Sequence, residues 1–161
     1  MKKIFRSLGV VFLIIILCSG CSFRKNNDKV GLEASDENIT TYINLSIEEV
    51  DSKIVNGENF ILFVYKNGCG NCTRFKPIVE NAVKERNLMI YALESGEIPY
   101  EHELRVIKYV PAIVIFEEGE IFFRTDPMEN EEYFGSNAGF LALLDKYIYV
   151  VDNFGDENID N

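Results

Sequence analysis

Histidine is almost absent from this chain of 161 residues, where His102 is the only one, and tryptophan is absent altogether. A single imidazole does not supply a site built from two or three histidines, which excludes most zinc and iron chemistry. Basic residues are also scarce: 16 Lys and Arg stand against 26 Asp and Glu, a formal net charge of -10. Without a basic excess that could release counterions from phosphates, nucleic acids and anionic membrane surfaces are disfavoured as partners.

The composition is otherwise that of a globular protein. Hydrophobic residues make up 47% of the chain and charged residues 26%. A chain of this length and composition allows one domain with a sizeable core, and it disfavours disorder throughout, collagen and coiled coil. The chemistry that remains is that of thiols or carboxylates, or simple binding.

The amino terminus has the layout of an export signal. Lys2, Lys3 and Arg6 precede an apolar run over 8–17. A positive region followed by an apolar region of this length is typical of a secretory signal, and the charges place the rest of the chain outside the cytoplasm.

A processing site follows the apolar run. Ser19 and Gly20 are small residues before Cys21, a pattern that resembles the lipobox of bacterial lipoproteins, although Cys18 stands where leucine is usual. We therefore predict a lipoprotein signal peptide over 1–20 and acylation of Cys21. The alternative is an uncleaved anchor, because the uncharged stretch is nearly long enough to span a bilayer.

The rest of the chain divides into three parts. Residues 21–40 are polar without a sustained apolar period and are predicted to be a tether, while 151–161 form an acidic tail. Between them, 41–150 alternate strand and helix patterns, which predicts an α/β sandwich around a mixed central sheet. Ser46 and Glu49 form a capping box that begins the first helix. Strands are predicted over 40–44, 60–65, 88–93, 112–116 and 121–123, and helices over 46–56, 70–86, 100–109 and 140–147.

Two cysteines at the start of a helix carry the candidate chemistry. Cys69 and Cys72 flank Gly70 and Asn71, directly after the apolar strand 60–65. The first thiol lies where unpaired N–H groups and the helix dipole stabilise a thiolate, so Cys69 is the predicted nucleophile. Cys72, one turn later, is placed to attack a mixed disulfide and release the substrate.

Three other uses of this cysteine pair compete with redox chemistry. A zinc site needs four ligands, and only His102 and Cys21 remain to complete it. Haem attachment needs a histidine where this chain has Thr73. A purely structural disulfide stays open in an exported protein, but a pair between a strand and a helix favours redox use.

Residues 41–150 resemble the thioredoxin fold family. Pro77 follows Cys72 at the spacing of the helix proline of that family, the stretch 110–120 is similar to its cis-proline segment and hairpin, and Gly135 suits the glycine before the last helix. The resemblance implies a three-layer sandwich and catalysis without metal or cofactor. It also implies that Pro111 is cis and faces the cysteines, although by itself this proline would suit a strand start. The residues that would bind substrate are Gly70, Asn71, Val110, Pro111 and Gly135.

The chain departs from the family at several positions. Phe63 stands where thioredoxins carry a buried aspartate, and Ala92 is the residue expected opposite it, where a lysine is common. Gly68 replaces the usual tryptophan before the first cysteine. The long acidic segment 124–134 is expected near the peptide groove, where it selects basic partners or is merely solvated. His102 is expected to be a surface residue at a helix start.

These observations predict an extracytoplasmic, lipid-anchored thiol-disulfide oxidoreductase that exchanges disulfides with exported proteins. Oxidation or isomerisation is favoured over reduction, and a membrane redox partner is expected. The alternative is a redox-inert adaptor that holds a peptide in the groove and keeps a structural disulfide. The chain is also similar in size and layout to thioredoxin-like proteins that assist export of disulfide-containing bacteriocins.

Overall fold

The computed structural model describes residues 28–35 and 39–151. The described part contains seven strands and three α-helices. The strands are β1 Val30–Glu33, β2 Ile43–Asn44, β3 Phe60–Tyr65, β4 Ile90–Glu94, β5 Ala112–Glu117, β6 Glu120–Arg124 and β7 Ile148–Val151, and the helices are α1 Ile47–Val55, α2 Gly70–Arg86 and α3 Asn137–Tyr147.

Five of the strands form the central sheet in the order β2-β4-β3-β5-β6. The β2–β4 and β3–β4 pairs are parallel, whereas β3–β5 and β5–β6 are antiparallel. The mixed α/β architecture predicted from the sequence is therefore confirmed.

The core lies on both faces of this sheet. On one face, Phe75 and Val79 of α2 pack with Phe140 of α3. On the other face, Val50 of α1 packs with Leu104. Strands β3 and β5 lie between these two layers, which is why both read as unbroken apolar runs.

The predicted capping box is present at the start of α1. The Glu49 N–H donates to Ser46 Oγ at 3.3 Å, and the Ser46 N–H donates to Glu49 Oε2 at 2.7 Å. These bonds satisfy two of the donors that a helix start leaves unpaired.

The predicted tether over 21–40 is wrong where it covers β1, Val30–Glu33. Val30 and Leu32 of β1 are buried in the core, and β1 pairs in parallel with β7. β7 runs to Val151, one residue past the predicted domain end. The physical reason is that β1 buries only alternate residues, too few to produce a sustained apolar signal.

The predicted helix over 100–109 is also wrong. A short 3₁₀ turn, Glu103–Val106, takes its place. His102 caps this turn by accepting from the Leu104 N–H at 3.0 Å, and its Nε2 lies 2.7 Å from Asp51 Oδ1. His102 stands at a helix start as expected, but its side chain is 13% exposed and therefore partly buried.

The predicted signal peptide 1–20, the acylated Cys21 and most of the acidic tail lie outside the described residues. Among residues 28–35 and 39–151, no helix has the length and apolar character needed to cross a bilayer.

Candidate active site

Three connections of the sheet meet at one edge and build the site. The β3 strand ends beside the start of β5, because these strands are antiparallel and Val64 pairs with Ala112. The β6 strand returns antiparallel to β5, so Arg124 pairs with Val114 and the following loop arrives at the same edge. The cysteine pair, Pro111 and the loop after β6 are therefore brought together although they are distant in sequence.

The cysteine pair begins α2. A turn after β3 passes through Gly68, whose φ of 77° is a conformation that glycine adopts readily and a bulky residue rarely does. The positive φ is the physical reason for glycine at position 68. Cys69 is the N-cap residue, and Cys72 lies in the first turn of the helix.

The two thiols have different surroundings. Cys69 is partly exposed, whereas Cys72 is buried at 1% exposure. The Cys72 N–H donates to Cys69 Sγ at 3.2 Å, in the position of a helix N-cap bond. A hydrogen bond from an N–H group is stronger when its acceptor is negatively charged. The geometry therefore favours a thiolate on Cys69.

Burial and hydrogen bonding shift the pKa values of the two thiols in opposite directions. Partial burial raises the pKa of Cys69, but hydrogen bonds from the Cys72 thiol and N–H outweigh it and leave that pKa below its ordinary value. The Asn71 N–H and the charge of Arg74 act in the same direction. Burial, together with its hydrogen bond to Cys69, raises the pKa of Cys72 to about 11. Cys69 is therefore the thiol that ionises first.

Two cations near the pair have distinct positions. Arg74 Nη2 donates to Oδ1 of Asn71, the residue before Cys72 in the sequence. The positive charge of Arg74 lies near Cys69 and lowers the pKa of that thiol. Lys76 Nζ lies 4.3 Å from the centre of the Tyr65 ring and belongs to a cation–π contact instead.

The proline segment faces the first thiol. The Val110–Pro111 peptide bond is cis, as the resemblance implied, and the Val110 carbonyl oxygen lies 3.9 Å from Cys69 Sγ. Behind it, the buried Thr125 hydroxyl accepts from the Ile113 N–H at 2.8 Å and fixes the start of β5. Sequence reasoning missed Thr125, because nothing local marks it as buried.

A groove of about 590 Å³ runs beside these segments. It brings together four of the five predicted substrate-binding residues; the fifth, Gly70, follows Cys69 directly and does not line the groove. Four more of its residues come from the segment 124–134, which was expected near the groove, whereas Tyr109 was not anticipated. The lining is Asn71, Arg74, Tyr109, Val110, Pro111, Pro127, Met128, Glu131, Phe134 and Gly135.

Comparison with solved structures places this arrangement in a known fold. A thioredoxin variant from Halobacterium salinarum is 18% identical, with a TM-score of 0.50 over 77% of this chain and 95% of that one. The J-Trx1 fragment of ERdj5 is 22% identical, with a TM-score of 0.51 over 63% of this chain and 49% of that fragment. This chain has the thioredoxin fold. No protein-family model matches the sequence, and no curated protein does.

The interior behind the thiols differs from the thioredoxin pattern described above. Phe63 pairs with Ala92 across β3 and β4, as the predicted register had it, and both are fully buried. The Phe63 ring packs edge-on against Phe75 with centroids 5.7 Å apart. In this version of the thioredoxin fold, apolar side chains occupy the positions where an acid and a base would assist proton transfer.

Metal ligands do not converge on the site. Within residues 28–35 and 39–151, no three His, Cys, Asp or Glu side chains lie close enough to hold an ion together.

Proposed function

We propose that this protein is a thiol-disulfide oxidoreductase that acts on protein thiols and disulfides. One observation carries the proposal: a partly exposed Cys69 accepts the N–H of a buried Cys72 and lies 3.9 Å from the carbonyl oxygen of Val110, which lines the groove of about 590 Å³. An exposed low-pKa thiol next to a shielded partner is the arrangement that disulfide exchange requires.

The exchange follows from the positions of the two sulfurs. When the pair is oxidised, a substrate thiolate attacks Cys69 Sγ, the Cys69–Cys72 bond breaks, and Cys72 leaves as a thiolate that takes up a proton. A second substrate thiolate then attacks the substrate sulfur of the mixed disulfide and releases Cys69 as a thiolate. Two electrons pass from the substrate to the pair, and the substrate gains one disulfide.

We propose that the direction in the cell is oxidation or isomerisation. The Cys72 N–H stabilises a Cys69 thiolate and hence the reduced pair, which makes the pair a better oxidant. The apolar Phe63 and Ala92 leave no acid or base to assist deprotonation of Cys72, which slows reductive resolution. Net oxidation of a substrate consumes the disulfide of the pair, so for this direction we propose a membrane oxidant that restores it. Isomerisation returns the pair to its starting state and needs no oxidant.

We also propose that the protein is held outside the cytoplasm by a lipid on Cys21, on the strength of the basic residues, apolar run and small residues before it. Labelling cells with a fatty-acid probe tests this, with label expected on the natural chain and lost in Cys21→Ala. A role in exporting disulfide-containing bacteriocins is a narrower proposal, which rests on size and layout alone.

A trapping experiment tests the activity. The oxidised protein is mixed with a reduced dithiol protein, and we expect free thiols to be lost from the substrate in step with reduction of the pair. In a second reaction, the reduced Cys72→Ser variant is mixed with a disulfide-containing protein. The Cys69 thiolate attacks one sulfur of that disulfide, the other sulfur leaves as a thiolate, and the mixed disulfide is expected to accumulate because Cys72 is absent. Cys69→Ser is expected to be inactive in both reactions. No exchange by the natural chain would leave the redox-inert adaptor as the function.

A further inference from the structure

We infer that the loop 126–134 selects the substrate of this site. The groove takes an extended protein segment in which the reacting cysteine is accompanied by a large apolar residue and a basic residue. The inference rests on the proposed oxidoreductase activity and adds to it the chemical class of substrate.

Two exposed side chains at the groove indicate that the substrate carries an apolar residue. Met128 is 77% exposed and Tyr109 is 52% exposed, yet both line the groove next to the reactive thiol. Met128 comes from the loop after β6, and Tyr109 directly precedes the proline segment. Exposed methionine and tyrosine at a concave site are suited to contact a partner's apolar side chain, since methionine adapts its shape and tyrosine loses little entropy.

The loop is held in place before any substrate arrives. The Asp126 carboxylate accepts from the Met128 N–H at 2.9 Å, and the Asp126 N–H donates to Asn130 Oδ1 at 3.0 Å. At the far end of the loop, the Phe134 ring packs on Phe75 of the core with centroids 4.8 Å apart. Because both ends of the loop are held in place, binding of a ligand does not carry the entropic cost of ordering the loop.

The negative charge of the loop indicates that the second substrate side chain is basic. Glu131 lines the groove and is exposed, and no cation of residues 28–35 and 39–151 forms an ion pair with it. Arg74 also lines the groove, but it donates to Asn71 and lies beside Cys69. The chain as a whole carries a net charge of -10. A lysine or arginine of the substrate is therefore the complement of Glu131.

Matched peptides separate these contributions. The protein used is the full chain with Cys18→Ser, Cys21→Ser and Cys72→Ser, so that only Cys69 reacts. Each peptide carries one cysteine as a mixed disulfide with thionitrobenzoate, whose release is followed by absorbance as Cys69 forms a bond to the peptide sulfur. Four peptides combine leucine or serine on one side of the cysteine with lysine or glutamate on the other, and both orders are made. The mixed disulfide of 2-mercaptoethanol measures the reactivity of Cys69 without a peptide.

We expect lysine peptides to react about two- to fivefold faster than glutamate peptides at low salt, since exposed pairs contribute modestly. This ratio should fall towards one at high salt and in Glu131→Gln. It should persist in Glu132→Gln, a control in the same loop that does not line the groove.

Leucine peptides should react about three- to tenfold faster than serine peptides, because the open groove removes only part of one apolar side chain from water. Met128→Ala should reduce that ratio. Tyr100→Ala should not, because Tyr100 is 85% exposed and lies outside the groove.

The outcomes distinguish the two levels of the proposal. If no peptide reacts faster than the 2-mercaptoethanol disulfide and Cys69 shows the reactivity of a free cysteine, the oxidoreductase proposal fails. If Cys69 is reactive but all peptides react alike, or if Glu132→Gln changes the lysine preference as much as Glu131→Gln, substrate selection by this loop is overturned. The peptide rates of each variant are divided by its own rate with the 2-mercaptoethanol disulfide, which separates peptide selection from a general change in the reactivity of Cys69.

Discussion

Cys69 and Cys72 are one helical turn apart, yet they differ in exposure and in the hydrogen bonds that reach them. Cys69 is an N-cap that accepts a backbone N–H at 3.2 Å, whereas Cys72 is 1% exposed. In the proposed exchange, this difference gives separate roles to two chemically identical side chains: Cys69 reacts with the substrate, and Cys72 is its shielded partner.

We predict that Cys69 is alkylated faster than Cys72 at neutral pH. Its lowered pKa supplies more thiolate, and its partial exposure admits the reagent. The measurement is the rate of iodoacetamide reaction against pH in Cys69→Ser and Cys72→Ser, each with Cys18 and Cys21 replaced by serine. Faster reaction of Cys72 would reverse the assigned roles.

We predict that the Cys72 thiol lowers the stability of the reduced protein as the pH rises from about 8 to about 10.5, whereas Cys69, whose pKa is lowered, contributes in the opposite direction. Burial raises the pKa of Cys72 from 9.0 to about 11. A thiol whose pKa is raised by folding contributes stability that is complete below its unfolded pKa and is lost as pH approaches its folded pKa. The expected loss is about 1–2 kcal/mol.

Denaturant unfolding of the reduced protein at the two pH values measures this loss. Cys72→Ala is the control, because it retains every other titrating group and should show a smaller fall. An equal fall in both proteins would mean that Cys72 does not cause it.

At the scale of elements, local signals and distant pairing explain what the sequence could predict. The capping box of α1 and the unbroken apolar run of β3 depend on neighbouring residues, so both were predicted correctly. β1 was missed because its stability comes from β7, at the other end of the chain. Hydrophobic periodicity does not detect a strand of four residues whose partner is so distant.

The same distinction applies to the candidate site. Cys69, Cys72 and Pro111 stand in recognisable local patterns, and the structure places them together. Tyr109 and Thr125 carry no such pattern. They reach the site because antiparallel β5 and β6 bring the ends of both strands to one edge of the sheet.

We predict that β1 is an integral part of the fold. Leu32 is 5% exposed and packs in the core, so Leu32→Ala should lower the free energy of unfolding by about 2–4 kcal/mol. Val55→Ala is the control, because Val55 is 85% exposed, and no measurable change is expected. Denaturant unfolding measures both. If Leu32→Ala changes stability no more than the control does, this segment behaves as a tether.

At the scale of the whole molecule, the thioredoxin fold supplies the framework, and this chain alters what surrounds the thiols. The interior behind them is apolar at Phe63 and Ala92, and the groove before them has an acidic, aromatic loop as one wall. Under the proposed function, the first change affects how readily the pair gives up its electrons, and the second affects which proteins reach it. Fold likeness at 18% and 22% identity does not by itself indicate either property.

We predict a reduction potential less negative than that of cytosolic thioredoxin, which is about -270 mV. Hydrogen bonds to Cys69 stabilise the reduced pair. Equilibration in glutathione buffers followed by counting free thiols gives the value. A potential at or below that of thioredoxin would contradict the oxidising direction and leave the exchange activity itself in place.

The early start of β1 limits how far the domain can travel. The core begins at Val30, so only residues 22–29 separate it from Cys21. A fully extended chain covers about 3.3–3.6 Å per residue, which limits this link to roughly 30 Å. With Cys21 acylated as proposed, the start of β1 stays within roughly 30 Å of the lipid surface, and the groove stays within that distance plus the width of the domain. Its substrates are then polypeptides that emerge from the membrane or lie on its surface, where their local concentration near the domain is high.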